Sequence, residues 1–238
     1  MTNTVPVGTV LVRQPGINME DLDMRLYCFP PSHHSWRVLA TVAHLKADVD
    51  VEVANLLKGE HKVAEIQQHN ITGRLPILVD GDFSLWESNA IMQYLADRFG
   101  PSSLYPEDTQ KRADVNRWLA WQMCHLALPT NTFLFQNMLK PILDMGAPDP
   151  AKLEEAAESF KDCAVVLDRH LQTNKFICGD ELTLADFSIA SCFAYAEPAK
   201  MPWSSYDNVQ AWYQRVAQTP AWSETTPEWE AETISAAS

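Results

Sequence analysis

Positive charge is scarce in this sequence: 18 Lys and Arg stand against 31 Asp and Glu, a formal net charge of -13. Phosphate backbones are held by a local excess of Lys and Arg, so the composition argues against a nucleic-acid binder, and any anion site has to be built locally. Long apolar runs are missing as well. A membrane-spanning helix needs roughly 20 apolar residues in succession, so no bilayer crossing is expected. Cys28, Cys124, Cys163, Cys178 and Cys192 are odd in number and include no Cys-x-x-Cys pair for metal or redox work. They read as buried thiols of a reducing, cytoplasmic compartment, with no metal site. Residues 1–21 lack the basic start, long apolar segment and cleavage site of a secretory signal, and read as an extension of the first domain.

Apolar residues make up 46% of the 238, enough to bury the core of one large domain or two modest ones, and two is the better reading. Met24 to Phe29 is apolar, aromatic and of strand length, and it ends at Pro30-Pro31. After a loop of Ser32, His33 and His34, the run Ser35 to Lys46 sets Val38, Leu39, Val42 and Leu45 at helical spacing, with Ser35 as a possible cap. Val49 to Val53 alternates as a second strand, and the polar stretch Lys58 to His69 reads as an irregular or helical connection. Leu75 to Val79 and Phe83 to Trp86 flank the turn Asp80-Gly81-Asp82 as a hairpin, and a helix starts near Ser88. The order β-α-β-α-β-β-α predicts an α/β domain with a mixed sheet.

The second half reads as all helix. A short linker at 102–107 precedes Arg112 to Leu128, Pro150 to Thr173 repeats apolar residues at helical spacing, and Leu184 to Ala196 is apolar enough to be buried. Thr183 and Asp186 form a Thr-x-x-Asp capping box at the start of that helix. The domain boundaries follow as 22–101 and 108–228, with a frayed acidic tail at 229–238.

Three places carry chemistry. Gly73-Arg74-Leu75-Pro76 enters an apolar strand, and Pro76 is either an ordinary strand start or a cis-proline that leaves the Leu75 N–H and C=O free for a ligand backbone. Glu87 and Ser88 sit where a strand runs into a helix. The helix N–H groups and the Ser88 hydroxyl suit a carboxylate while Glu87 suits an ammonium, the two charges of an α-amino acid; the plainer alternative is that Ser88 only caps the helix. Ser32 follows the first strand, with Arg37 on the helix after it.

In this order, together with the late Thr183-Leu184-Ala185-Asp186, these residues resemble the soluble glutathione transferases over roughly Met24 to Trp222. The serine-type phi, theta and delta classes and their microbial relatives look most similar. The resemblance implies a thioredoxin-like N-terminal domain with a mixed four-stranded sheet, an all-α C-terminal domain, and glutathione as co-substrate. It implies a cis Pro76, with Leu75 pairing to the cysteinyl part of glutathione through its backbone. Glu87 and Ser88 then meet the γ-glutamyl end, His61 and Lys62 the glycine carboxylate, and Arg37 and Arg74 complete the glutathione contacts. Ser32 is the candidate for activating the thiol, with Tyr27 and the His33/His34 pair as alternatives. Core packing is the simpler role for Tyr27, and exposure in a loop the simpler state for the two histidines. Of Trp118, Trp121, Met123, Phe133, Phe135 and Met138, most belong to a core and some to a pocket for a hydrophobic electrophile. A homodimer is also implied. Two other readings of the same fold are a specialised glutathione-dependent lyase, dehalogenase or isomerase, and a non-catalytic interaction module.

Overall fold

The computed structural model describes residues 24–227. The extension with its Val10 to Val12 run and the tail carrying Glu228, Glu230 and Glu232 lie outside the described residues. The chain forms two compact units, one that runs to Phe99 and takes back the chain from Pro220, and one that spans Gly100–Thr219.

The first unit is built on β1 (Met24–Cys28), α1 (His33–Leu45), β2 (Asp50–Val53), α2 (Ala64–Gln67), β3 (Ile77–Asp80), β4 (Phe83–Trp86) and α3 (Ser88–Arg98). The sheet order is β2-β1-β3-β4, with β1 parallel to β2 and antiparallel to β3, and β3 antiparallel to β4. The mixed four-stranded sheet read from the sequence is therefore present. Because strand side chains alternate, Tyr27 and Phe29 point to one face. There they pack with Ala54, Ile66, Leu75 and Ile77. Leu26 and Leu78, on the other parity, are fully buried, and α1 and α3 pack against each other.

Two boundaries differ from the sequence reading, each for a local reason. Ser35 is not the cap of α1: the helix begins at His33, and the Ser35 hydroxyl, inside the first turn, accepts the Phe29 N–H at 3.1 Å. Residues 220–227 do not belong to the helical unit. Trp222 on α10 (Pro220–Ser223) is buried and stacks on Trp36 of α1, ring centroids 4.5 Å apart, which draws this segment to the first unit.

In the second unit the chain is helical without a break from Thr109 to Ile142. It runs as α4 (Thr109–Trp121), a π segment Gln122–Leu126, α5 (Ala127–Leu134), a π segment Phe135–Leu139 and α6 (Lys140–Ile142). Pro129 and Pro141 lie inside this run, where a proline lacks the N–H and its ring meets the carbonyl four residues back. Each follows one of the wide π turns, which have the room that an α turn denies, so the helix outlasts the predicted end at Leu128. After α7 (Pro150–Leu171) come α8 (Leu184–Ala190) and α9 (Asp207–Ala217). The predicted helix Leu184 to Ala196 stops early, passing at Ser191–Phe193 into a 3-10 turn. The linker is not a loose spacer: Leu104 and Tyr105 are buried, and the Leu104 carbonyl accepts the Leu184 N–H at 2.9 Å. No helix of the described residues is long and apolar enough to cross a membrane.

Candidate glutathione site

The sheet register gathers the candidate segments at one end of the first unit. Cys28 pairs with Val53 at the C-terminal ends of β1 and β2, Tyr27 with Ile77 at the start of β3, and Ile77 with Trp86 at the end of β4. The four chain segments that leave or enter there carry Ser32, His61 with Lys62, Arg74 to Pro76, and Glu87 with Ser88. Residues far apart in sequence share this edge because β1 and β2 run parallel while β3 runs against both β1 and β4.

Ser32 is the N-cap residue of α1, with extended backbone at φ -73 and ψ 124, half-buried, and its N–H donates to the Phe29 carbonyl at 2.8 Å. Its hydroxyl makes no cap bond, and no hydrogen bond to it occurs among the described residues. A capping serine normally spends its oxygen on the first turn. Here that oxygen is left for something else.

The Leu75-Pro76 peptide is cis. The loop before it is organised by Asn70, which the sequence reading overlooked. Asn70 is 3% exposed, its Nδ2 donates to the Arg74 carbonyl at 2.8 Å, and its Oδ1 accepts from both the N–H and the hydroxyl of Thr72 at 2.8 Å. Gly73, at φ +64, supplies the left-handed residue that this tight loop requires. A polar residue three positions before a Gly-Arg-Leu-Pro run was the only available signal.

Glu87 is exposed and forms the N-cap of α3 at φ +73, a backbone region that L-residues rarely hold. Ser88 is 7% exposed at the first position of the helix. This strain is local to the predicted α-amino-acid contact, and such strain persists where the surroundings over-determine it. His61 and exposed Lys62 lie on a 3-10 turn, Glu60–Lys62. The His61 Nδ1 is buried with no partner among the described residues. Burial first, and the neighbouring Lys62 second, hold its imidazole below the usual range.

Arg37 is 1% exposed, and its Nη1 donates to Asn89 Oδ1 at 3.1 Å, so it ties α1 to the first turn of α3 from inside. One expectation is corrected. His33 and His34 are not exposed loop residues: they form the first turn of α1, His33 is 6% exposed and His34 half-buried. Met123 is 52% exposed and is no core residue, whereas Trp118, Phe133 and Met138 are buried and Trp121 and Phe135 half-buried. Tyr27 has the core role: it is 2% exposed, and its hydroxyl accepts from Arg25 at 3.2 Å. The Cys28 thiol, at the end of β1, is pushed up to about 12 by burial and is no nucleophile at neutral pH.

Residues 22–97 match the glutathione S-transferase N-terminal domain, and residues 150–215 match its C-terminal domain. Glutathione S-transferase 3 of Zea mays is 32% identical over 207 residues, 85% of this chain and 92% of the relative. The chain belongs to the glutathione S-transferase family. A solved glutathione S-transferase-I, bound with lactoylglutathione, superposes with a TM-score of 0.76 at 27% identity, covering 86% of this chain and 98% of the other. Glutathione transferase F2 of Populus trichocarpa shares the fold, with a TM-score of 0.78 at 23% identity over 85% of this chain and 96% of that one. The family is one of transferase enzymes with glutathione as co-substrate, and the mixed sheet with its helices is the family's thioredoxin-like domain, followed by the helical one. The gathered edge carries acid, hydroxyl, cation and backbone groups on four adjacent segments.

Proposed function

We propose that this glutathione S-transferase activates the thiol of glutathione through the Ser32 hydroxyl and delivers the thiolate to a hydrophobic electrophile. The observation that carries this is the uncommitted hydroxyl of Ser32 at the N-cap of α1. A hydroxyl donor and a helix N-terminus both favour the charged sulfur over the neutral thiol. A free thiol has a pKa near ~8.5, and lowering it by two units corresponds to about 2.7 kcal/mol of differential stabilisation. In this reading the Leu75 backbone pairs with the cysteinyl residue, Glu87 and Ser88 hold the γ-glutamyl end, and His61, Lys62 and Arg74 serve the glycine carboxylate. Arg37 acts from the interior, through Asn89, on the start of α3. The buried, unpartnered His61 Nδ1 supports its place among the contacts.

The deciding experiment is titration of bound glutathione by its thiolate ultraviolet absorbance in the parent and in Ser32→Ala. The variant should bind glutathione almost as well, hold the bound thiol at a higher pKa, and turn over a model electrophile more slowly. Parent-like titration with full turnover removes Ser32 from this role. The enzyme is further read as cytoplasmic, which agrees with its five free cysteines, and, from the family resemblance, as a homodimer. Sedimentation at micromolar concentration checks the assembly, and a species of one chain's 26.8 kDa would refute it.

A further inference from the structure

The segment between α2 and β3 ends on an open pair of backbone groups. Leu75 is 8% exposed, yet neither its N–H nor its C=O takes a partner among the described residues. Backbone groups of a largely buried residue are ordinarily paired, so an open pair suits the backbone of a ligand. It can select that ligand only if its direction is fixed before binding.

Asn70 fixes the direction. The Arg74–Leu75 peptide is trans and planar, so its C=O and its N–H point to opposite sides and turn as one body. The Arg74 carbonyl accepts Asn70 Nδ2 at 2.8 Å, which stops the Leu75 N–H of the same peptide from rotating away. Asn70, at 3% exposure, is held in turn: its Oδ1 accepts the N–H and the hydroxyl of Thr72, both at 2.8 Å, and its carbonyl accepts the Gly73 N–H at 3.0 Å. The Thr72 N–H needs an oxygen and the Arg74 carbonyl needs an N–H, so a single orientation of the amide serves both. One residue earlier, His69 Nδ1 lies 2.8 Å from Ser84 Oγ on β4. The loop is thus anchored to the sheet at its start, and Asn70 carries that anchorage to the Arg74–Leu75 peptide.

We propose that Asn70 is a positioning residue for glutathione: through the Arg74 carbonyl it aims the Leu75 N–H at the cysteinyl carbonyl of the tripeptide. The inference rests on the reading that the Leu75 backbone pairs with the cysteinyl residue. Asn70 acts from behind the peptide that it holds, so it governs affinity for glutathione and leaves the ionisation of the thiol alone.

The test measures KM for glutathione, kcat at saturating glutathione and the pKa of the bound thiol in Asn70→Asp, Asn70→Ser and Thr72→Val. Asn70→Asp keeps an acceptor for Thr72 but offers the Arg74 carbonyl no N–H. Asn70→Ser can still accept the Thr72 N–H in a turn but is too short to reach Arg74, and it removes the bond without adding charge. Both should raise KM about tenfold, with kcat and the thiol pKa as in the parent. Thr72→Val loosens the same loop while leaving the Arg74 bond in place, and should keep the parental KM. Should one Asn70 variant fail to fold, the other decides. A parental KM in the folded Asn70 variant overturns the proposal, and so does a fall in kcat without a change in KM. An equal rise of KM in Thr72→Val also overturns it, since the role would then be general support of the loop. The amide resonance of Leu75 separates this from the reading beneath it, because its proton should move downfield when glutathione binds to the parent. No movement removes the backbone pairing and the inference with it; movement in the parent with a parental KM in the Asn70 variants removes Asn70 alone.

Discussion

Asp186 offers the largest effect that the structure predicts for a single side chain. It is fully buried at the third position of α8, where it accepts from Ile177 N at 2.8 Å, Thr183 N at 2.8 Å, the Thr183 hydroxyl at 3.0 Å and Trp212 Nε1 at 2.9 Å. Loss of a cap alone costs about 0.5–2 kcal/mol. Asp186→Ala removes more than a cap, because three N–H groups lose their acceptor inside the protein while the hydroxyl is free to rotate. At about 1–3 kcal/mol for each orphaned buried donor, the gross cost is roughly 3–9 kcal/mol. Two effects offset part of it. The variant no longer buries a carboxylate, whose pKa burial raises, and the small cavity can admit a water to satisfy a donor. The net expectation is about 3–5 kcal/mol, a large part of the ~5–15 kcal/mol that a native protein has. Asp186→Asn keeps one acceptor oxygen but turns an amide N–H toward a donor, and should cost about half as much. Urea unfolding at fixed protein concentration measures both, with an unchanged m-value as the sign that only stability moved. A loss under about 1 kcal/mol for the Ala variant would falsify the network as a stabilising element. Glutathione affinity of the folded fraction should not change.

Glu87→Gly removes the side chain from a backbone position at φ +73, a strain of about 1–3 kcal/mol for an L-residue, so it should raise stability by up to about 1 kcal/mol after the entropy cost of glycine. The same variant should bind glutathione at least tenfold more weakly, and calorimetry showing parental affinity would remove the γ-glutamyl assignment. Acid should destabilise the enzyme through His33, which is neutral when folded and lowered to about 3, against about 6.5 in the unfolded chain. Between these values the unfolded state binds the extra proton, so stability falls as pH falls, by up to about 1.4 kcal/mol per unit. His33→Phe should flatten the slope between about pH 5 and 6.5, and equal slopes in the two proteins would contradict the buried neutral ring.

Much of the first unit was legible because its signals are local. The strands Met24–Cys28 and Phe83–Trp86 are bounded by Pro30 and by the Asp80-Gly81-Asp82 turn, and alternation in a strand needs no distant partner to be read. The reach of Asp186 back to Thr183 was likewise visible as a four-residue pattern. The helix from Thr109 to Ile142 was not, because Pro129 and Pro141 argue locally for a break, and only the π turns before them remove the conflict. The other two donors to Asp186, Ile177 N and Trp212 Nε1, come from nine residues before it and from another helix, and no spacing rule links them to a cap.

The sequence by itself determined the order of elements, the chemistry on offer at Ser32, Pro76 and Glu87-Ser88, and the resemblance that joins them, since each depends on residue type and short-range spacing. Which side chains face the ligand edge was decided only by the tertiary structure. Arg37 and the His33/His34 pair sit within five residues of Ser32, yet the guanidinium is buried against Asn89 and the two rings are packed together in the first turn. Burial and orientation depend on what α3 and the Arg74 loop place opposite α1. That is a matter of sheet register and helix packing between segments some 40 to 50 residues apart, which residue type and spacing along the chain do not encode locally.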